Sequence, residues 1–247
     1  MLIVSNWKAY VEELAKAKKL FALAKRLASG THIMLVLAPP APLLGALAAR
    51  NKSTVAFAAQ DVSRTTGGAQ TGESTAQAYQ AAGATYAIVG HSERRVAGDT
   101  DAVVAEKLAH ALAQGLIPIL CVGEKERDGE GRYLATIREE LTLAIEPLAP
   151  KERAQVIVAY EPVWAIGKTA DAAIGPNDLA EMVLYIRKVL AELLPGKSSR
   201  ASLVLYGGSV EPGNERALAA ASGIDGLLVG HASVDPASFS LLVKQLA

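Results

Sequence analysis

The sequence predicts an α/β protein of the (β/α)8-barrel class, folded as a single domain over residues 1–247. Three observations predict it. Short, near-continuous apolar runs alternate with longer, Ala-rich amphipathic stretches along the whole chain. The alternation recurs about eight times at a spacing of roughly 30 residues, which suits the ~250 residues that such a barrel needs. No Gly-x-Gly-x-x-Gly turn follows the first apolar run, which argues against a doubly wound open sheet, the other architecture assembled from βα units.

Each strand is expected where apolar residues run without a polar break, the pattern of parallel strands covered on both faces. These are residues 2–6, 32–38, 54–59, 86–89, 117–122, 156–160, 202–206 and 226–229. Between them, residues 11–29, 101–114, 133–146, 178–193 and 237–246 repeat apolar positions at helical spacing, with Lys, Arg and Glu elsewhere. Gly30, Gly83, Gly115 and Gly196 are placed to close helices, and Pro176, Pro212 and Pro236 lie near helix starts. Two connections, residues 61–73 and 162–176, are longer than the rest. Both follow strands, which puts them on the C-terminal face, where barrel enzymes carry their chemistry.

Composition removes several classes. Hydrophobic residues make up 51% and charged residues 20%, too apolar for a disordered chain. With 25 Lys+Arg against 25 Asp+Glu, there is no basic excess to suggest a nucleic-acid partner. Cys121 is the one cysteine, so neither a disulfide framework nor a multi-cysteine zinc site is expected. The four histidines are scattered without ligand spacing, and no metal or cofactor is expected. The apolar run at the start is too short for a secretory segment, and no stretch approaches the ~20 residues that span a bilayer. A soluble, cytoplasmic protein with no membrane partner is the expectation.

Polar residues collect at the strand ends, which a barrel brings around one axis. Asn6 and Lys8 follow the first strand, and Gly90-His91-Ser92-Glu93-Arg94-Arg95 the fourth. Glu161 follows the sixth, Gly207-Gly208-Ser209 the seventh and Gly230-His231 the eighth. A carboxylate, an imidazole, an ammonium group and glycine turns at one mouth suit proton transfer on a small phosphorylated substrate. Taken singly, each has a plainer reading: a strand-end Glu in a salt bridge, a packing His, a surface Lys, a tight turn.

Together these segments resemble the triosephosphate isomerase family. The resemblance rests on Asn6-Trp7-Lys8, Val89 through Arg95, Ala159-Tyr160-Glu161-Pro162-Val163-Trp164-Ala165-Ile166-Gly167 and Tyr206-Gly207-Gly208-Ser209-Val210, in that order along the chain. It implies a glycolytic isomerase on a TIM barrel that interconverts dihydroxyacetone phosphate and D-glyceraldehyde 3-phosphate without a cofactor. Glu161 would then be the base, a carboxylate held close to the carbon acid and shielded from water. His91 would be the electrophile, at the start of a helix where a cation is disfavoured. The family is itself a standard example of acid and base groups tuned by their surroundings, so these two roles come with the resemblance. Lys8 and Asn6 would face the developing oxyanion, with Glu93 in support. The phosphate would rest on main-chain N–H groups around Gly208, Ser209, Gly230 and His231. Residues 162–170 would be a closing lid, with Gly167 reaching the phosphate and Trp164 at the hinge. The loop 61–73 resembles one that enters a second subunit, which implies a homodimer with Thr71 near the neighbouring site.

The chain departs from the family pattern in three places. The lid usually reads Ala-Ile-Gly-Thr-Gly-Lys-Thr-Ala, whereas here Ile166-Gly167 runs straight into Lys168-Thr169-Ala170 and extra residues precede Pro176. Gly230-His231 replaces Gly-Gly, so a side chain needs room and a left-handed backbone at His231 would be costly. The loop after His91 is about one residue shorter. Smaller changes include Ala9-Tyr10 for Met-Asn and Asp61 for Asn. The alternative is a catalytically impaired barrel serving as a scaffold; a third is an isomerase for another phosphosugar.

Overall fold

A computed structural model describes residues 1–167, 173–194 and 202–247. Eight parallel strands close on themselves: β1 (Leu2–Asn6), β2 (Met34–Ala38), β3 (Ala56–Ala59), β4 (Tyr86–Val89), β5 (Ile117–Val122), β6 (Ile157–Tyr160), β7 (Val204–Tyr206) and β8 (Gly226–Val229). Leu2 pairs in register with Met34 on one side and Gly226 on the other, and this pairing seals the barrel.

Period-2 alternation sorts the strand residues into two layers. Leu2, Val4, Val36, Ala58, Ile88, Ile119, Cys121, Ile157, Leu205 and Leu228 point inward and fill the barrel. Their neighbours Ile3, Leu35, Leu37, Phe57, Val89, Leu120, Val158 and Leu227 face outward and meet the helices. The runs read as continuously apolar because both faces are buried.

Helices surround the barrel: α1 (Leu14–Ser29), α2 (Ala41–Ala48), α3 (Ala76–Ala81), α4 (Ser92–Val96), α5 (Asp101–Ala113), α6 (Arg132–Ile145), α7 (Pro150–Arg153), α8 (Pro176–Leu193), α9 (Glu215–Ser222) and α10 (Pro236–Leu246). In α1, Ala17, Leu20, Phe21, Ala24 and Leu27 form one buried stripe, and Gly30 ends the helix with its N–H on Leu27 O. Burying a Leu or Phe of that stripe contributes about 1.5–3 kcal/mol, which outweighs the weak propensity differences along the helix. Thr75, Thr100 and Asp235 cap α3, α5 and α10 through their side-chain oxygens. Pro176 and Pro236 occupy the first turns of their helices, while α9 starts three residues after Pro212.

Four strands match the expected bounds, and four begin later. Ile33, Val55 and Val156 are buried yet lie before the paired residues, because apolar runs report burial rather than hydrogen bonding. Val11 is buried in a loop for the same reason, and α1 starts at Leu14. Gly196, expected to close α8, lies outside the described residues, as do Lys168, Thr169 and Ala170 of the expected lid. Among the described residues no helix is long and apolar enough to cross a membrane, and no acidic, histidine or cysteine cluster could hold a metal.

Candidate active site

The C-terminal ends of β1, β4, β6, β7 and β8 converge on a cavity of about 310 Å³, at the small end of ligand sites. Asn6, Lys8, His91, Gly167, Gly208, Ser209, Gly230 and His231 all line it. A second cavity of about 230 Å³ shares Asn6, Lys8 and His91, and adds Glu93. Of the site residues expected from the sequence, all but Glu161 and Thr71 line one of these two cavities, and Glu161 lies next to His91.

Lys8 begins the construction. It has φ +45°, the one left-handed non-glycine among the described residues. Such a backbone persists only when its surroundings over-determine it. Here Lys8 N–H donates to Asn6 Oδ1 at 3.0 Å, and Lys8 O accepts from Gln60 Nε2 at 2.9 Å. Its ammonium group pairs with Glu93 Oε1 at 2.8 Å. The other contact of Gln60 Nε2 is Ala38 O, also at 2.9 Å, so the end of β2 fixes the same point. Gln60 is a site-building residue that nothing in the sequence singles out from its loop.

His91 ends the strand-to-helix turn after β4. Gly90 takes φ +74° to make that turn, with Val104 and the Cys121 carbonyl crowded against it. The Nδ1 of His91 accepts the Glu93 N–H at 3.2 Å. A nitrogen that accepts a backbone N–H carries no proton, so the imidazole is neutral in this arrangement, with its N–H at Nε2. Nε2 lies 3.4 Å from Glu161 Oε1. Glu93 thus does two things: its backbone sets the tautomer of His91 and its carboxylate holds Lys8. Burial raises the Glu93 carboxyl, but the hydrogen bond and charge of Lys8 outweigh this and hold it low.

Glu161 is 2% exposed. Its Oε2 accepts the Ser92 N–H at 3.1 Å, and its Oε1 has no hydrogen-bond partner. Two glycines make its place. A Cβ on Gly207 would stand 2.9 Å from Glu161 Cγ, and one on Gly123 would overlap the Glu161 carbonyl. Gly207 therefore serves close packing against Glu161. Cys121 is buried beside this carboxylate; burial first, then Glu161, pushes its thiol well up. It packs with the inward-facing residues of the barrel.

On the far side, Ser209 Oγ donates to Ala165 O at 2.9 Å, joining the loop after β7 to the short 3-10 turn Val163–Ala165. A side chain on Gly208 would collide with the Tyr206 hydroxyl beneath it. Gly230 packs against Lys8, with Lys8 Cε 3.5 Å from where a Cβ would stand. His231 starts a 3-10 turn, His231–Ser233, without a left-handed backbone. The strain expected at His231 is absent, and its exposed ring packs edge-on against Tyr10.

The base of the expected lid is anchored by Glu124, another residue without a signal of its own in the sequence. Its Oε1 accepts from Trp164 Nε1 and Tyr160 Oη, each at 2.8 Å, and from Arg127 Nε at 3.2 Å. The loop 61–73 is fixed only at its root. Ser63 N–H donates to Ser74 O, and buried Lys107 bridges Asp61 at 2.7 Å and Asp99 at 2.5 Å. Burial raises the Asp61 carboxyl, while Lys107 and Arg94 draw it back. Residues 66–73, Thr71 among them, are exposed.

Comparison with known proteins gives the family. A family model described as triosephosphate isomerase matches residues 1–246. A triosephosphate isomerase of Symbiobacterium thermophilum is 38% identical, over 100% of this chain and 96% of its own. That of Thermus thermophilus is 39% identical over 99% and 98%, and that of Herpetosiphon aurantiacus 40% over 98% of each.

Proposed function

The chain belongs to the triosephosphate isomerase family and interconverts dihydroxyacetone phosphate and D-glyceraldehyde 3-phosphate; from that premise we propose how its residues divide the reaction. A proton must move between adjacent carbons. A C–H beside a carbonyl is a weak acid, so it needs a base in reach and a place for its electron pair. Glu161 takes the proton. The C–H pair closes a C=C bond, and the carbonyl π pair moves onto oxygen to give an enediolate. His91 gives its Nε2 proton to that oxygen and takes the hydroxyl proton of the neighbouring carbon's oxygen, which restores its own N–H. As the second carbonyl forms there, the Glu161 carboxyl returns the carbon-bound proton to the carbon that carried the first carbonyl.

His91 Nε2–H and the Lys8 ammonium group stabilise the developing negative oxygen, with Asn6 beside them and Glu93 holding both. The arrangement of His91 carries this reading: Nδ1 is engaged by the Glu93 N–H, and the remaining N–H is 3.4 Å from Glu161. Glu161 has to turn toward the cavity, exchanging its Ser92 contact for the substrate. The phosphate rests on the main chain of Gly208, Ser209, Gly230 and His231, and Gly167 reaches it from the lid. Their shared cavity supports this assignment. A closed lid keeps water from the enediolate. Nothing favours the scaffold alternative, and every side chain that the reaction needs is present.

The whole of residues 1–247 is read as one domain of a homodimer, in which Thr71 of the exposed loop approaches the partner's site. One buried cysteine suits a cytoplasmic protein. A coupled assay run in both directions tests the chemistry. Glu161→Gln keeps the shape and removes the base, and kcat is expected to fall by about 10³-fold. An inactive wild-type protein, or an active Glu161→Gln variant, would overturn the reading. Light scattering at micromolar concentration tests the dimer, and a monomer mass counts against it.

A further inference from the structure

The phosphate end of the cavity has one wall made of two aromatic side chains. Tyr10, in the loop after β1, and His231, in the loop after β8, both line it. Their ring centroids lie 5.6 Å apart at 81°, an edge-to-face contact. This orientation is favoured by the ring quadrupoles and so fixes the angle of one ring against the other. The backbone of Tyr10 is itself pinned: its N–H donates to Trp7 O at 3.0 Å, and its carbonyl accepts from Lys16 Nζ at 3.2 Å. His231 thus lines the same cavity as Gly230, Lys8 and Ser209, with Glu211 the acidic group there. An imidazole always offers at least one N–H donor, and a phosphate offers three acceptor oxygens.

We propose that Tyr10 and His231 form a side-chain contact for the substrate phosphate, His231 donating an N–H to an outer phosphate oxygen and Tyr10 acting as a positioning residue for the ring. This rests on the phosphate end assigned above, where only the main chain of His231 was invoked. It concerns binding common to substrate and transition state, so it acts on KM more than on kcat.

Steady-state kinetics on the full chain, with inorganic phosphate as competitive inhibitor, tests it. His231→Ala is expected to raise both the KM for dihydroxyacetone phosphate and the inhibition constant of phosphate by about tenfold, the low end for a hydrogen bond to a charged group. Its loss on the phosphorylated substrate should exceed its loss on D-glyceraldehyde, which has no phosphate, by about the same factor. Tyr10→Ala should produce a smaller rise, adding nothing in the His231→Ala background. Tyr10→Phe keeps the edge contact and should recover most of the difference. The proposal is overturned by a His231→Ala protein whose phosphate affinity changes less than twofold. Equal losses on both substrates, or a Tyr10→Phe effect as large as that of Tyr10→Ala, would also overturn it. If the wild-type protein shows no turnover, the isomerase reading fails separately. Calorimetric titration of inorganic phosphate into wild type and His231→Ala then still decides the contact.

Discussion

On the β1 and β4 side of the cavity, the chemistry is held in place before any ligand arrives. Lys8 is fixed at its N–H, its carbonyl and its ammonium group, and His91 is fixed at Nδ1. On the β6 side, Glu161 Oε1 is buried without a hydrogen-bond partner, while its Oε2 accepts the Ser92 N–H. A buried polar atom left unpaired costs about 1–3 kcal/mol. The contrast separates two tasks. Groups that stabilise charge gain from being fixed in advance, because no reorganisation is then required as the charge develops. A base has to reach the carbon acid, and a carboxylate oxygen without a partner gives up little when it turns.

The comparison can be broken most forcefully on its fixed side. Lys8→Met keeps the stem but removes the cation, and kcat is expected to fall by about 10²–10³-fold, in the range for one lost preorganised donor. An activity within threefold of wild type would mean that the fixed side is scaffolding. On the mobile side, Gly207→Ala places a Cβ 2.9 Å from Glu161 Cγ. The carboxylate must shift by a few tenths of an ångström, and kcat is expected to drop by about tenfold with KM nearly unchanged. A rise in KM alone would show that Gly207 serves the phosphate instead.

The smallest effect is one of stability. Glu140 accepts the Gly123 N–H at 2.9 Å behind α4. Burial pushes its carboxyl up from 4.5 to about 7, against the pull of Arg95. The folded chain then binds more protons than the unfolded chain across that window. Its contribution is complete below about 4.5 and is lost as pH rises through about 7. Melting temperatures between pH 4 and pH 8 (roughly spanning the window) should show wild type losing ground to Glu140→Gln as pH rises. A difference between them that stays constant with pH would remove Glu140 from the account.

The barrel was legible because its strands are buried on both faces, so runs such as 117–122 carry their own signature. Short helices were less so: α2 is built from Ala, Pro, Leu and Gly with no polar face, and α3 is six residues long. The candidate side chains could be named from their strand ends and from the resemblance. Glu93, 85 positions from Lys8, was named beside it by the resemblance alone. Gln60, 52 positions away, was not, and nothing local in the sequence marks either pair. Tyr10 and His231 read as two unrelated departures from the family pattern, and the fold makes them neighbours. Gly123 and Gly207 look like turn glycines until the position of Glu161 is known.

The left-handed turn at Lys8 also bears on how the molecule comes into being. No stretch of contiguous chain can secure it, since its anchors come from three separate βα units. An incompletely assembled barrel therefore offers no organised cation to a passing anion. During renaturation, recovered turnover is a clock for the joining of distant segments and should lag the return of helical ellipticity.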